Sequence, residues 1–109
     1  MKIYTIEEDT VILLGENAQD NWDIIDIANP NWIWLHLKSF PSAHVIIQST
    51  DPTERDILWA AELCKKSTKY KNIRNLKISY CPIKNLKKGR DIGSVSYISN
   101  RLVKEIKLN

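Results

Sequence analysis

Trp32-Ile33-Trp34-Leu35-His36-Leu37-Lys38 is the stretch that decides the fold. Its aliphatic residues Ile33, Leu35 and Leu37 alternate with Trp34, His36 and Lys38 at a period of two, the signature of a β-strand. The first set would face the core and the second would point the other way, with Trp32 beside it. Ser39-Phe40-Pro41-Ser42 carries turn residues, and His44–Gln48 returns as a second strand.

Working outward, Lys2–Ile6 and Thr10–Leu14 read as a strand pair with Glu8-Asp9 in the turn, ended by Gly15. Asn17–Ala28 reads as a helix carrying Trp22, Ile24, Ile25 and Ile27, and Asn29-Pro30-Asn31 breaks it. Asp51-Pro52-Thr53-Glu54 is a helix start, with Asp51 as the expected cap and Pro52 at the first helical position. The helix is expected to run to about Lys69. Ile57, Ala60, Ala61, Cys64 and Thr68 form its core stripe, flanked by Leu58 and Leu63. Leu76–Tyr80 reads as a strand that Pro82 ends or places at an edge. Asn85–Asp91 reads as a basic loop, and Ser94–Ser99 with Leu102–Leu108 as a final hairpin. The order ββαββαβββ predicts an α+β fold with a mainly antiparallel sheet, one domain over residues 1–109.

The composition sets limits. A chain of 109 residues with 43% hydrophobic and 27% charged content can fill one core. No apolar run approaches the length of a membrane span. Glu7, Glu8 and Asp9 follow so soon after Met1 that no signal peptide is expected. Cys64 and Cys81 make no disulfide framework, which fits a reducing, cytoplasmic compartment. Without a CxxC pair, no metal is expected, and nothing implies a cofactor.

The net charge of +3 conceals an asymmetry. Residues 1–64 hold three basic against eleven acidic residues, and residues 65–109 hold thirteen against two. The segment 65–90 carries ten basic residues and no acid. Lys65, Lys66, Lys69, Lys71, Arg74, Lys87, Lys88 and Arg90 are the candidate phosphate contacts within it. Such density neutralises phosphates and releases counterions. Lysine predominates over arginine, which favours backbone-directed binding over base readout. Tyr70 and Tyr80 interleave with these cations, and an exposed ring can stack on a base. Part of the asymmetry has a structural origin, because acids at a helix start and lysines at its end complement the helix dipole.

Other clusters carry less. His36 and His44 are the only histidines. A hydrolase reading would make one a general base with Ser42 or Cys64 as nucleophile, but no carboxylate is spaced to orient either ring. The alternatives are that they stack on a base or hold two strands together. Asp20, Asp23 and Asp26 repeat along one helix face without the glycine of a calcium loop, and a solvated face is the simpler account.

Taken in order, the chain holds Gly15-x-Asn17-x-x-Asp20-Asn21-x-Asp23, Ile33-Trp34-Leu35-His36 and Ser42-Ala43-His44-Val45. Further on come Ala60-Ala61, Tyr80-Cys81-Pro82, Asn85-Leu86-Lys87-Lys88 and Ile92-Gly93-Ser94-Val95. This ordered set resembles the NFACT-R (NFACT RNA-binding) family, and its Ser-Ala-His-Val and Asn-Leu-Lys-Lys forms are most similar to the stand-alone eukaryotic branch. The resemblance implies a non-enzymatic RNA-binding domain linked to tRNA or ribosomal RNA and to ribosome-associated quality control, with DNA as a further candidate. It marks Asn17, Asn21, Trp34, His36 and His44 as motif residues. The chain departs from the family at Glu16, where a basic residue is usual, and at Trp32, where an acid is usual. The stand-alone branch carries a coiled coil after the domain, and with the sequence read through Asn109 none is expected here. A protein-interaction module docking on a ribosomal assembly through the acidic half is the alternative from another class.

Overall fold

The computed structural model describes residues 1–7 and 9–109. Of the turn expected at Glu8-Asp9, Glu8 lies outside the described residues. Strands β1 (Lys2–Ile6) and β2 (Thr10–Leu14) lead into helix α1 (Ala18–Ile27), then β3 (Ile33–Leu37) and β4 (Val45–Ile47). Helix α2 (Glu54–Lys66) follows, then β5 (Leu76–Pro82), β6 (Leu86–Lys88), β7 (Val95–Tyr97) and β8 (Lys104–Leu108). Six strands form one antiparallel sheet in the order β1-β2-β4-β3-β5-β8, and β6 pairs with β7 in a separate ribbon. The α+β architecture expected from the alternating strands and two helices is the one observed.

The centre of the sheet, strands β2, β4, β3 and β5, is buried on both faces, while β1 and β8 are largely exposed. Leu35, Leu37, Val45, Ile47, Ile78 and Leu108 meet Ala60, Ala61 and Cys64 of α2 on one side. Leu13, Trp34, Ile46 and Cys81 pack on the other side with Ile24 of α1, and with Leu86, Val95 and Tyr97 of the ribbon. The alternation in β3 therefore separates two cores rather than core from solvent, and Trp34 is only 1% exposed. The β4 run Val45-Ile46-Ile47, buried at every position, is what a central strand requires.

Several boundaries differ from the sequence expectation. Helix α2 is capped by Thr53, not Asp51. The Thr53 side chain accepts from the Asp56 amide while the Asp56 carboxylate accepts from the Thr53 amide, a reciprocal box that fixes the start two residues later. The helix stops at Lys66 rather than Lys69, because the Ser67 hydroxyl takes the Cys64 carbonyl and the Thr68 hydroxyl donates to Pro41 across the turn. Pro82 closes β5, which lies inside the sheet between β3 and β8.

The carboxy-terminal third departs most. The supposed basic loop contains β6, and β7 pairs with β6 instead of forming a hairpin with β8. Asn85 is the cause: it is 2% exposed, and its side chain both donates to the Ser99 carbonyl and accepts from the Ser99 amide at 2.9 Å. That clamp, with the Ile98 amide on the Asn85 carbonyl, folds β7 back beside β6. A 3-10 turn at Asn100–Leu102 then redirects the chain to β8, which pairs with β5.

Candidate nucleic-acid interface

The basic residues fall into two groups on opposite sides of the sheet. Lys65 and Lys66 end α2, and Lys69, Lys71 and Arg74 follow on the connection to β5. Lys87, Lys88 and Arg90 belong to the ribbon that packs on the α1 side. Among the described residues, only Lys88 of these eight is in a salt bridge, at 2.6 Å from Asp26, with its ammonium also 5.2 Å from the Trp22 ring centre. Lys65 is half-buried and its ammonium donates to the Asn109 carbonyl at 3.0 Å. The other six are exposed. The eight therefore lie in two groups, one at the α2 end that includes Lys65, Lys66 and Lys69, and a second on the ribbon.

Lys66 and Lys69 line a cleft of about 1060 Å³. Its other walls are Lys2 and Tyr4 of β1, the Gly15–Ala18 entry to α1, the Pro41–Ala43 turn, and Trp59, Leu63 and Tyr70. Lys2, Tyr4 and Trp59 carried no signal in the sequence, because each lies outside the lysine-rich segment and outside the helical core stripe. Tyr70 stacks on Phe40 with ring centres 4.6 Å apart, while Tyr80 packs against the α2-side core. Glu16 stands at the cleft wall with its carboxylate 2.9 Å from the Met1 amino group.

The motif residues are explained by packing around His44. Asn17 caps α1 by accepting from the Asp20 amide at 2.8 Å. Asn21 accepts from the His44 amide at 3.1 Å, just beyond the β2–β4 ladder, where the Gly15 amide donates to the His44 carbonyl. A Cβ on Gly15 would lie 2.0 Å from the Asn21 oxygen, so glycine is needed for the asparagine to reach the strand.

The His44 ring accepts from the Trp34 indole N–H through Nδ1 at 3.0 Å. The His36 Nδ1 donates to the Leu37 carbonyl at 2.6 Å. A carbonyl only accepts and an indole N–H only donates, so the two histidines hold opposite tautomers. Their rings meet edge to face at 5.1 Å, and His36 lies parallel to Trp34. Burial lowers both pKa values, that of His44 to about 3 with the neighbouring His36 adding to the effect. Both rings border a smaller cleft of about 720 Å³ with Ser79, Tyr97 and Glu105.

The nucleophile candidates are held elsewhere. The Ser42 hydroxyl accepts from the Leu37 amide and donates to the Ala43 carbonyl. Burial pushes the Cys64 thiol up to about 11, against the activation a nucleophile needs. The three aspartates of α1 take separate partners: Asp20 the Met1 amino group, Asp23 the Gln19 amide and Asp26 Lys88. Among the described residues there is no cluster of three metal-binding side chains, and no helix is long and apolar enough to cross a membrane.

A six-stranded antiparallel sheet between one long helix and a helix-plus-ribbon layer, with the Asn21–His44–Trp34 linkage through it, defines the class of α+β module. Residues 1–98 match the NFACT protein RNA binding domain, and the chain belongs to that family. It is 32% identical over 106 residues to the Rqc2 homolog RqcH of Bacillus subtilis, covering 94% of this chain and 19% of that one. It is 31% identical to coiled-coil domain-containing protein 25 of Danio rerio, covering 85% and 49%. The C-terminal structure of the fibronectin/fibrinogen-binding protein from Streptococcus suis superposes with a TM-score of 0.86 at 26% identity, over 97% of this chain and 43% of that one. The chain thus spans about half or less of the length of these relatives.

Proposed function

We propose that this chain is a non-enzymatic RNA-binding domain that holds the phosphate backbone with the lysines at the end of α2. Membership of a family described as RNA-binding supports the class of ligand. The observation that carries the surface is the pair Lys66 and Lys69, exposed and lining one cleft together with Lys2. Lys71 and Arg74 extend it along the next loop, and among the described residues none of these cations is in a salt bridge, Glu16 on the cleft wall being held by the Met1 amino group. Likeness to the Rqc2 homolog RqcH favours a role in ribosome-associated quality control, with tRNA or ribosomal RNA as the ligand.

Binding of tRNA, single-stranded RNA and duplex DNA compared across a salt series tests the reading. Three to five phosphate contacts on a single strand correspond to a slope of roughly −2 to −3.5 in log K against log salt. Lys66→Glu with Lys69→Glu is the decisive variant, since both side chains are exposed and their internal contacts are surface ones: the Lys69 ammonium 5.4 Å from the Tyr70 ring centre and Lys66 in the last turn of α2. Loss of RNA retention by a chain that still unfolds cooperatively, its thermal midpoint lowered only by the reversed charges at the helix end, is expected. A folded double variant that keeps its affinity rejects this surface.

A further inference from the structure

Trp59 does not belong to the core stripe of α2. Ala60, Ala61 and Cys64 face the sheet, and the Trp59 ring stands 39% exposed. Tyr4 of the edge strand β1 leans against it, ring centres 5.7 Å apart and planes tilted by 60°. On the same helix wall Leu63 comes one turn later and Lys66 two turns later, roughly 10 Å along the axis at 1.5 Å per residue. All three line the larger cleft, which faces Trp59 with Lys2, Lys69 and Tyr70. Three rings, three ammonium groups and one carboxylate, Glu16, therefore share one concavity.

An exposed indole in apolar company would suit a protein contact. Leu58, Leu63 and Glu62 flank it on one side, but on the cleft side it shares walls with Lys2, Lys66 and Lys69 against the single acid Glu16. The partner that matches three cations and an exposed ring is a polyanion with flat faces to stack. Tyr70 is the weaker platform, because one face is taken by Phe40. In an A-form duplex each base is covered above and below by its neighbours, and only sugars, phosphates and groove edges are presented. A ring on the wall of a cleft reaches a base only when that base is unpaired.

We propose that the cleft binds a single-stranded stretch of RNA, with Trp59 as the face on which an unpaired base stacks and Lys66, Lys69 and Lys2 on the flanking phosphates. This rests on the RNA-binding reading above and adds the class of RNA and the residue that selects it.

The test measures binding of a fluorescently labelled oligoadenylate and of a blunt RNA duplex of equal length. The proteins are the unaltered chain, Trp59→Ala, Trp59→Phe and the Lys66→Glu/Lys69→Glu double variant. Stacking on one base sets the expected loss for Trp59→Ala at roughly five- to a hundredfold on the single strand. The duplex should change little, and Trp59→Phe should recover most of the loss. The lysine variant should weaken both ligands. If it weakens neither, the RNA surface itself is misplaced. If it weakens both while Trp59→Ala binds the single strand normally, or loses both ligands equally, only the stacking assignment falls, and an unchanged affinity gives the ring to a protein contact. Should Trp59→Ala fold poorly, indole fluorescence decides: oligoadenylate must quench the unaltered chain and leave Trp59→Phe much less affected.

Discussion

The indole N–H of Trp34 on β3 donates to the Nδ1 of His44, the residue before β4, 3.0 Å away, inside the layer between the sheet and the β6–β7 ribbon. The bond fixes which imidazole nitrogen is bare and ties two adjacent strands through their side chains. Phenylalanine at position 34 keeps an aromatic ring but strands the acceptor on His44. The orphaned nitrogen and the lost ring volume together make Trp34→Phe about 2–4 kcal/mol less stable by chemical denaturation.

Acid should weaken the fold through the same ring. His44 has a folded pKa near 3 against 6.5 in the unfolded chain. The depressed value means that the unfolded state binds the proton first. Stability from this group is fully present above about pH 6.5 and is lost progressively as the pH falls from there toward about 3. The limiting slope is roughly 1.4 kcal/mol per pH unit for one proton, and His36, shifted the same way, steepens it. Urea midpoints measured from pH 8 to pH 4 should decline across that window. A flat profile would show that neither imidazole is held neutral.

Gly15→Ala should act at a distance along the chain. The new methyl displaces the Asn21 side chain, which then releases the His44 amide. A cost of about 1–3 kcal/mol is expected for the unpaired group. Hydrogen exchange supplies the specific readout: the His44 amide should exchange faster, while amides of the β5–β8 ladder change only with global stability.

The two thiols should resist modification in the folded chain. Cys64 is on the sheet-facing side of α2 and Cys81 on the opposite side of the sheet, both buried and both with pKa values pushed up to about 11 by burial. Thiol reagents at neutral pH should label each only as fast as the protein opens, with both becoming reactive together in denaturant. Rapid labelling of either in buffer would contradict the packing.

Much of this architecture was legible in the sequence because it is local. The alternation of Ile33, Leu35 and Leu37 set β3, and the spacing of Ala60, Ala61 and Cys64 set the buried face of α2. The second core was not legible: Trp34 and His36 look like solvent-facing residues, and their cover comes from Val95 and Tyr97, scattered in a polar segment far along the chain. The pairing of β7 with β6 depends on one asparagine side chain, Asn85, which no periodicity announces. Of the candidate interface, the lysines could be found by counting charge. Their division between two sides, the internal bond of Lys65 and the place of Lys2, Tyr4 and Trp59 all arise from contacts between distant segments.

Burial of both faces at the centre of the sheet has a topological consequence. With α2 over one face and α1 plus the ribbon over the other, no broad flat plate remains for a stiff rod to lie across. A flexible polymer threading the furrow beside α2 meets Lys66 and Lys69 without encountering Lys87 and Arg90 behind it. The two cationic zones would then titrate as separate stations, and a second, weaker class of bound oligonucleotide should emerge at low ionic strength.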